Sequence, residues 1–185
     1  MDKKLNDLLV PQTGSTRQSA YYKLICYQYA RLIQLAAGVD DYGFLWEKYE
    51  SLVDGEIEMT SVTKENTYQL QEDFGVCTYC GEEAETTYDH IIPVSDGGPS
   101  DISNQVPACQ PCNSVKNDEN VIDWHQKRNE PVPRIVWGKY LKLFKEQLED
   151  EEKLHSDLPD DERERWQGIE LTRNITRRIR SSNIR

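Results

Sequence analysis

The sequence predicts an α+β protein, mostly helical, in which a small cysteine-clipped core is flanked by N-terminal and C-terminal helices. Three observations predict it. Cys77-Thr-Tyr-Cys80 and Cys109-Gln-Pro-Cys112 form two C-x-x-C pairs on either side of residues 81–108, a pattern that can set four thiolates tetrahedrally around one Zn²⁺. On both sides of that stretch, apolar residues recur at intervals of three and four, the helical period. Between the pairs, Thr86, Thr87, Tyr88, Ile91 and Ile92 favour extended backbone. The chain therefore divides into a helical region at 1–74, a core at 75–130 and C-terminal helices at 131–185.

Residues 1–14 are polar, with Pro11 and Gly14, and are expected to be loosely ordered. Ser15 or Thr16 can cap a first helix, whose face Tyr21, Leu24, Ile25, Tyr29, Leu32, Ile33 and Ala36 is interrupted by Gln28 and stopped by Gly38. Tyr42, Leu45, Trp46, Tyr49, Leu52 and Val53 repeat the period up to Gly55, and a weaker third helix is expected from about Thr60 to Phe74. These aromatics read as core. Gly75 opens the central stretch, where Pro93 limits a strand through Asp89 and His90, and Gly97-Gly98-Pro99 makes a loop. A helix starts at Asn113, and Asp118 can cap the next one, which Pro131 and Pro133 end. A longer helix runs from about Arg134 to Lys153. The last starts near Asp160 and carries Trp166, Ile169, Leu171, Ile175 and Ile179 on one face.

Composition narrows the function classes. No run of eighteen apolar residues and no charged segment leading into an apolar one is present, so neither a membrane span nor a signal peptide is expected, and the cytoplasm is the expected location. In a reducing compartment, paired C-x-x-C motifs read as metal ligands rather than disulfides. Cys26, on an apolar helix face, reads as an inert core thiol. The net charge of -11 opposes a nucleic-acid partner. Its distribution is uneven: an acidic stretch at 145–164 precedes a basic arm in which Arg173, Arg177 and Arg180 fall along one side of a helix as candidate phosphate contacts.

Asp89, His90 and Asn113 are the residues of the central stretch that suit chemistry. Adjacent residues on a strand point to opposite faces, so Asp89 and His90 are expected to have separate tasks. Asp89 and the Asn113 side-chain carbonyl offer hard oxygens to Mg²⁺ or Mn²⁺. A neutral His90 imidazole can take a proton from water attacking a phosphodiester.

Asp89-His90-Ile-Ile-Pro, Gly97-Gly98, Asn104 and Cys109-x-x-Cys112-Asn113-x-x-Lys116 together resemble the HNH endonuclease family, over about forty residues. The resemblance implies a ββα-metal fold. It implies His90 as general base, Asp89 as metal ligand, Asn104 as the residue that pins the loop of the base, and Asn113 at the position of the final metal-binding His, as in the HNN variant. It also implies structural zinc on Cys77, Cys80, Cys109 and Cys112, a basic contact at Lys116, and DNA as substrate. A restriction or phage-defence setting follows from family habit alone.

The bland alternatives are specific. A histidine beside a strand is usually structural, Asn104 alone could simply hold a turn, and Lys116 could be a solvated lysine. His125 and His155 carry no assigned role. Two other function classes stand beside the nuclease: a non-catalytic zinc-ribbon module that binds nucleic acid or protein, and a nuclease subunit active only in a larger complex or homo-oligomer. The second is suggested by residues 77–120, where eight acids face a single Lys.

Overall fold

The computed structural model describes residues 20–59, 75–154 and 156–172. The expected Ser15 or Thr16 cap, the third helix, Ile175, Ile179 and the basic arm with Arg173, Arg177 and Arg180 lie outside them. Among the described residues are six α-helices and one two-stranded antiparallel sheet, so the fold is α+β and mostly helical. Two compact units divide them: one drawn from Met1–Thr60 and Leu141–Ile169, the other from Ser61–Tyr140 and Glu170–Arg185.

In the first unit, α1 (Ala20–Ala37) buries Tyr21, Leu24, Ile25, Tyr29 and Leu32 of the expected apolar face, with Cys26 and Ala30 beside them, whereas Ala36 near its end is exposed. Burying a Leu or Ile side chain contributes about 1.5–3 kcal/mol. α1 stops at Gly38, which takes φ +67. Asp41 caps α2 (Tyr42–Asp54) by accepting from the Phe44 N–H at 2.7 Å. Gly55, at φ +76, closes it.

Gln28, the polar break in the face of α1, is fully buried for a reason the sequence does not show. Its Nε2 donates to the Trp166 carbonyl at 3.1 Å, and its Oε1 accepts from Arg31 Nη1 at 2.9 Å. Arg31 Nη2 donates in turn to the Ile169 carbonyl at 3.3 Å. The Trp166 carbonyl at the end of α6 (Asp160–Gln167), which a helix cannot satisfy internally, and the Ile169 carbonyl just beyond it are thus met by side chains of α1.

The second unit is built on β1 (Thr86–His90) and β2 (Gln105–Cys109), paired from Thr86 against Cys109 to His90 against Gln105. The β2 segment holds Pro107, which lacks an amide hydrogen. A two-stranded sheet tolerates it because each strand is an edge, and the Pro107 carbonyl accepts from the Thr78 N–H at 2.8 Å. α3 (Gln110–Lys116) follows β2 directly, with Cys109 at its N-cap. Next comes α4 (Val121–Lys127), tied to the end of β1 by the Val121 N–H on the Ile91 carbonyl at 3.2 Å.

Two helix expectations are corrected here. The cap of α4 is Asn120, whose Oδ1 accepts from the Ile122 N–H at 3.0 Å; Asp118 lies two residues too early to reach the first turn. The last helix ends at Gln167 instead of running on through Leu171, because the backbone of Glu170 and Thr172 pairs with Val132 in a parallel bridge. α5 (Arg134–Asp150) contributes its residues up to Tyr140 to this unit. From it, buried Lys139 donates to the carbonyls of Ile102 and Gln105 at 3.0 and 2.7 Å.

Burial pushes the Cys26 thiol up to about 12, so on the order of one molecule in ten thousand carries the reactive thiolate at pH 8. We expect Cys26 to stay unmodified by iodoacetamide at pH 8 until denaturant is added. Labelling of the native protein at the rate of an exposed thiol, read by peptide mass spectrometry, would contradict its place in the core.

Candidate functional site

The first C-x-x-C pair sits on a tight turn. The Gly81 N–H bonds the Cys77 carbonyl at 2.8 Å, the Cys77 N–H bonds the Glu82 carbonyl at 2.9 Å, and Gly81 takes φ +77 where a side chain would be strained. The second pair occupies the N-cap and first turn of α3. The four sulfurs lie within 4.8 Å of one another, and Cys80 Sγ is 3.9 Å from Cys109 Sγ. Tetrahedral thiolate ligation at about 2.3 Å places sulfurs about 3.8 Å apart, so the cluster fits one zinc-sized ion.

The electrostatics point the same way. Burial raises the Cys77 thiol, but the backbone N–H groups of Cys80 and Cys109 outweigh it and the net direction is down. Cys80 and Cys112 are pushed up, first by burial; Cys77 adds to it, through a hydrogen bond and its charge at Cys80, to about 11, and through its charge at Cys112. The four thiols would ionise together only with a cation between them.

Asp89 and His90 end β1, where they point to opposite sides of the strand as the alternation requires. Asp89 is buried. Its Oδ2 accepts from the Tyr79 hydroxyl at 2.5 Å and pairs with Lys116 Nζ at 3.0 Å, while Oδ1 takes part in neither contact. Burial, with the Asp89 charge beside it, pushes the Tyr79 phenol well above its usual range, so Tyr79 keeps its proton and donates.

Lys116 is not a surface contact. Its side chain is 1% exposed, and the ammonium also donates to the carbonyls of His90 at 2.6 Å and Asn117 at 3.4 Å. An ammonium buried between one carboxylate and two carbonyls is not at the surface, where the phosphate contact was expected.

His90 is half-buried, and Gln105, its cross-strand partner, brings an amide Nε2 to 3.1 Å from His90 Nε2. The same Nε2 donates to the Ser100 carbonyl at 3.3 Å, so the amide meets the imidazole with its N–H end and His90 Nε2 accepts. Asn113, half-buried on α3, donates Nδ2 to Thr87 Oγ1 at 3.2 Å, which leaves its carbonyl oxygen for another partner. A cleft of about 390 Å³ is lined by Asp89, His90 and Asn113 together with Tyr88, Val94 and Asp118. The cleft thus brings together the three residues singled out for chemistry.

Asn104 is fully buried and holds the segment after His90 from the far end. Its Oδ1 accepts from the Ile92 N–H at 2.9 Å, and its Nδ2 donates to the carbonyls of Ile92 and Pro99 at 2.7 and 2.9 Å. Gly98 lies so close that an added Cβ would meet the Ile92 carbonyl oxygen at 2.2 Å and Asn104 Nδ2 at 2.6 Å. Tyr79, Gln105, Thr87 and Lys139 are the supporting residues that the sequence reading missed. The alternation of β1 against β2 was the one signal that could have found Gln105.

Gly98→Ala should lower stability by about 1–3 kcal/mol, the usual range for forcing extra carbon into packed space, and loosen the loop that carries His90. A urea midpoint within error of wild type would mean that the close approach is not a constraint.

Comparison with known proteins places this geometry. Residues 77–119 match the family described as HNH endonuclease. A Bacillus subtilis (strain 168) protein, "SPbeta prophage-derived putative HNH endonuclease YoqL", is 36% identical over 90 residues, which make up 41% of this chain and 39% of the relative. The alignment therefore spans well under two thirds of the relative's length. No solved structure matches the chain. The stretch that carries the four cysteines, Asp89, His90 and Asn113 belongs to the HNH endonuclease family.

Proposed function

We propose that the chain is a metal-dependent endonuclease that hydrolyses phosphodiester bonds of DNA, with residues 75–130 as nuclease core between the N-terminal and C-terminal helical regions. The observation that carries this reading is that Asp89 and His90 of β1 and Asn113 of α3 line one cleft. The donor set suits a hard cation: Asp89 Oδ1 and the Asn113 carbonyl would hold Mg²⁺ or Mn²⁺, and Cys77, Cys80, Cys109 and Cys112 would hold structural Zn²⁺. A bound divalent ion would supply charge stabilisation for the phosphate and its leaving oxygen.

His90 then takes the proton of the attacking water. Asn104 and Lys116 keep its backbone in place from either side, and Gln105 orients the ring through Nε2. Tyr88 and Val94, both exposed at the cleft, offer a flat ring and an aliphatic side chain to base and sugar. A role in restriction or phage defence rests on family habit alone.

One observation favours a second form of this reading. Among the described residues, the cleft lining contains no Lys or Arg and includes Asp118, while Lys116 is committed inside. Positive charge for a polyanion must then come from elsewhere, either from Arg173, Arg177 and Arg180 or from a partner subunit.

His90→Ala should reduce cleavage of plasmid DNA by about 10²–10⁴-fold with zinc content and thermal midpoint unchanged. Asn113→Ala should raise the Mn²⁺ concentration needed for half-maximal rate. Wild-type cleavage by His90→Ala would overturn the mechanism. A folded, zinc-loaded wild type that binds DNA but never cuts it would mark a non-catalytic zinc-ribbon module.

A further inference from the structure

Each half of the four-cysteine site sends one group to the same carboxylate oxygen. Tyr79 lies between Cys77 and Cys80, and Lys116 lies one helical turn beyond Cys112 on α3. Both side chains are buried, and both end on Asp89 Oδ2. The turn that carries Tyr79 is docked on β2 through the Thr78 N–H and the Pro107 carbonyl at 2.8 Å, and so has little freedom to follow Asp89 if Asp89 moves. The ammonium that reaches Asp89 also grips the His90 carbonyl.

We propose that Tyr79 and Lys116 are positioning residues that couple the four-cysteine site to the catalytic metal site, by holding Asp89 so that only Oδ1 faces the cleft. This inference rests on the nuclease reading above. A carboxylate hinged at Cβ can otherwise rotate and offer an ion either oxygen or both. With Oδ2 saturated by a phenol and an ammonium, it presents one oxygen in one direction. Outer hydrogen-bond partners of this kind commonly change metal affinity or activity by 10–100-fold when removed. The two ions are then not independent, because disturbing the cysteine turn displaces Tyr79 and releases Asp89.

Tyr79→Phe is the informative variant. The ring rests edge-on against Trp124 and His125, with centroids 5.1 and 5.9 Å away, so phenylalanine keeps that packing and loses the hydroxyl alone. In the full chain, zinc is measured by elemental analysis, Mn²⁺ affinity by the electron paramagnetic resonance signal of free Mn²⁺, and cleavage as a function of Mn²⁺ concentration. Tyr79→Phe should retain one zinc per chain, bind Mn²⁺ about 10–100-fold more weakly, and approach the wild-type rate at saturating Mn²⁺. His90→Ala should bind Mn²⁺ like wild type.

Wild-type Mn²⁺ affinity in a folded Tyr79→Phe chain would overturn the coupling and leave the nuclease reading standing. A wild-type chain that binds no Mn²⁺ and cuts nothing would overturn both. Where Tyr79→Phe does not fold, Lys116→Arg takes its place, since it keeps the charge but not the geometry at Oδ2. Unchanged Mn²⁺ affinity in that variant would be equally fatal to the coupling.

Discussion

A buried ammonium with three acceptors holds the centre of the core together. Lys116 reaches back from α3 to the Asp89 carboxylate and the His90 carbonyl on β1, and its third acceptor is the Asn117 carbonyl at its own helix end. Burying two charges is costly, and their attraction offsets the cost only when the remaining donors are also met, as they are here. Removing either partner from such a pair typically costs about 3–5 kcal/mol, because the other charge stays buried alone. The same contact fixes the strand end that carries Asp89 and His90, so stability of the core and placement of the site are one problem.

The periodic helices and the cysteine spacing were legible in the sequence because both are local patterns. Tyr21, Leu24, Ile25, Tyr29 and Leu32 repeat at helical intervals, and Gly38 and Gly55 stop their helices with the left-handed backbone that glycine allows. What escaped was decided by contacts distant in the chain. Gln28 breaks an apolar face, yet it is buried because the end of α6 presents a carbonyl to it. The β2 segment hides behind Pro107, and only pairing with β1 makes it a strand. Leu171 has the spacing of a helix face but belongs to a bridge with Val132.

The candidate site divides along the same line. Cys77, Cys80, Cys109 and Cys112, with Asp89, His90 and Asn113, stand out by residue type and spacing. Lys116 stood out too, but its charge suggested phosphate, whereas the fold spends that charge internally on Asp89. Tyr79 looked like spacer within a C-x-x-C pair, and Gln105 like an unremarkable strand residue. Their tasks follow from the register of β1 against β2 and from the docking of the cysteine turn on Pro107, neither of which is a property of a single segment.

On the proposed reading, one small core would hold two metal ions of different chemistry, at a soft-ligand structural site and a hard-ligand catalytic site. Crystals grown with Mn²⁺ and measured at the zinc and manganese absorption edges separate the two. A zinc peak is expected among the sulfurs of Cys77, Cys80, Cys109 and Cys112, and a separate manganese peak in the cleft beside Asp89 Oδ1 and the Asn113 side-chain carbonyl. A zinc peak with no manganese in the cleft, or manganese bound away from Asp89 and Asn113, would contradict that reading.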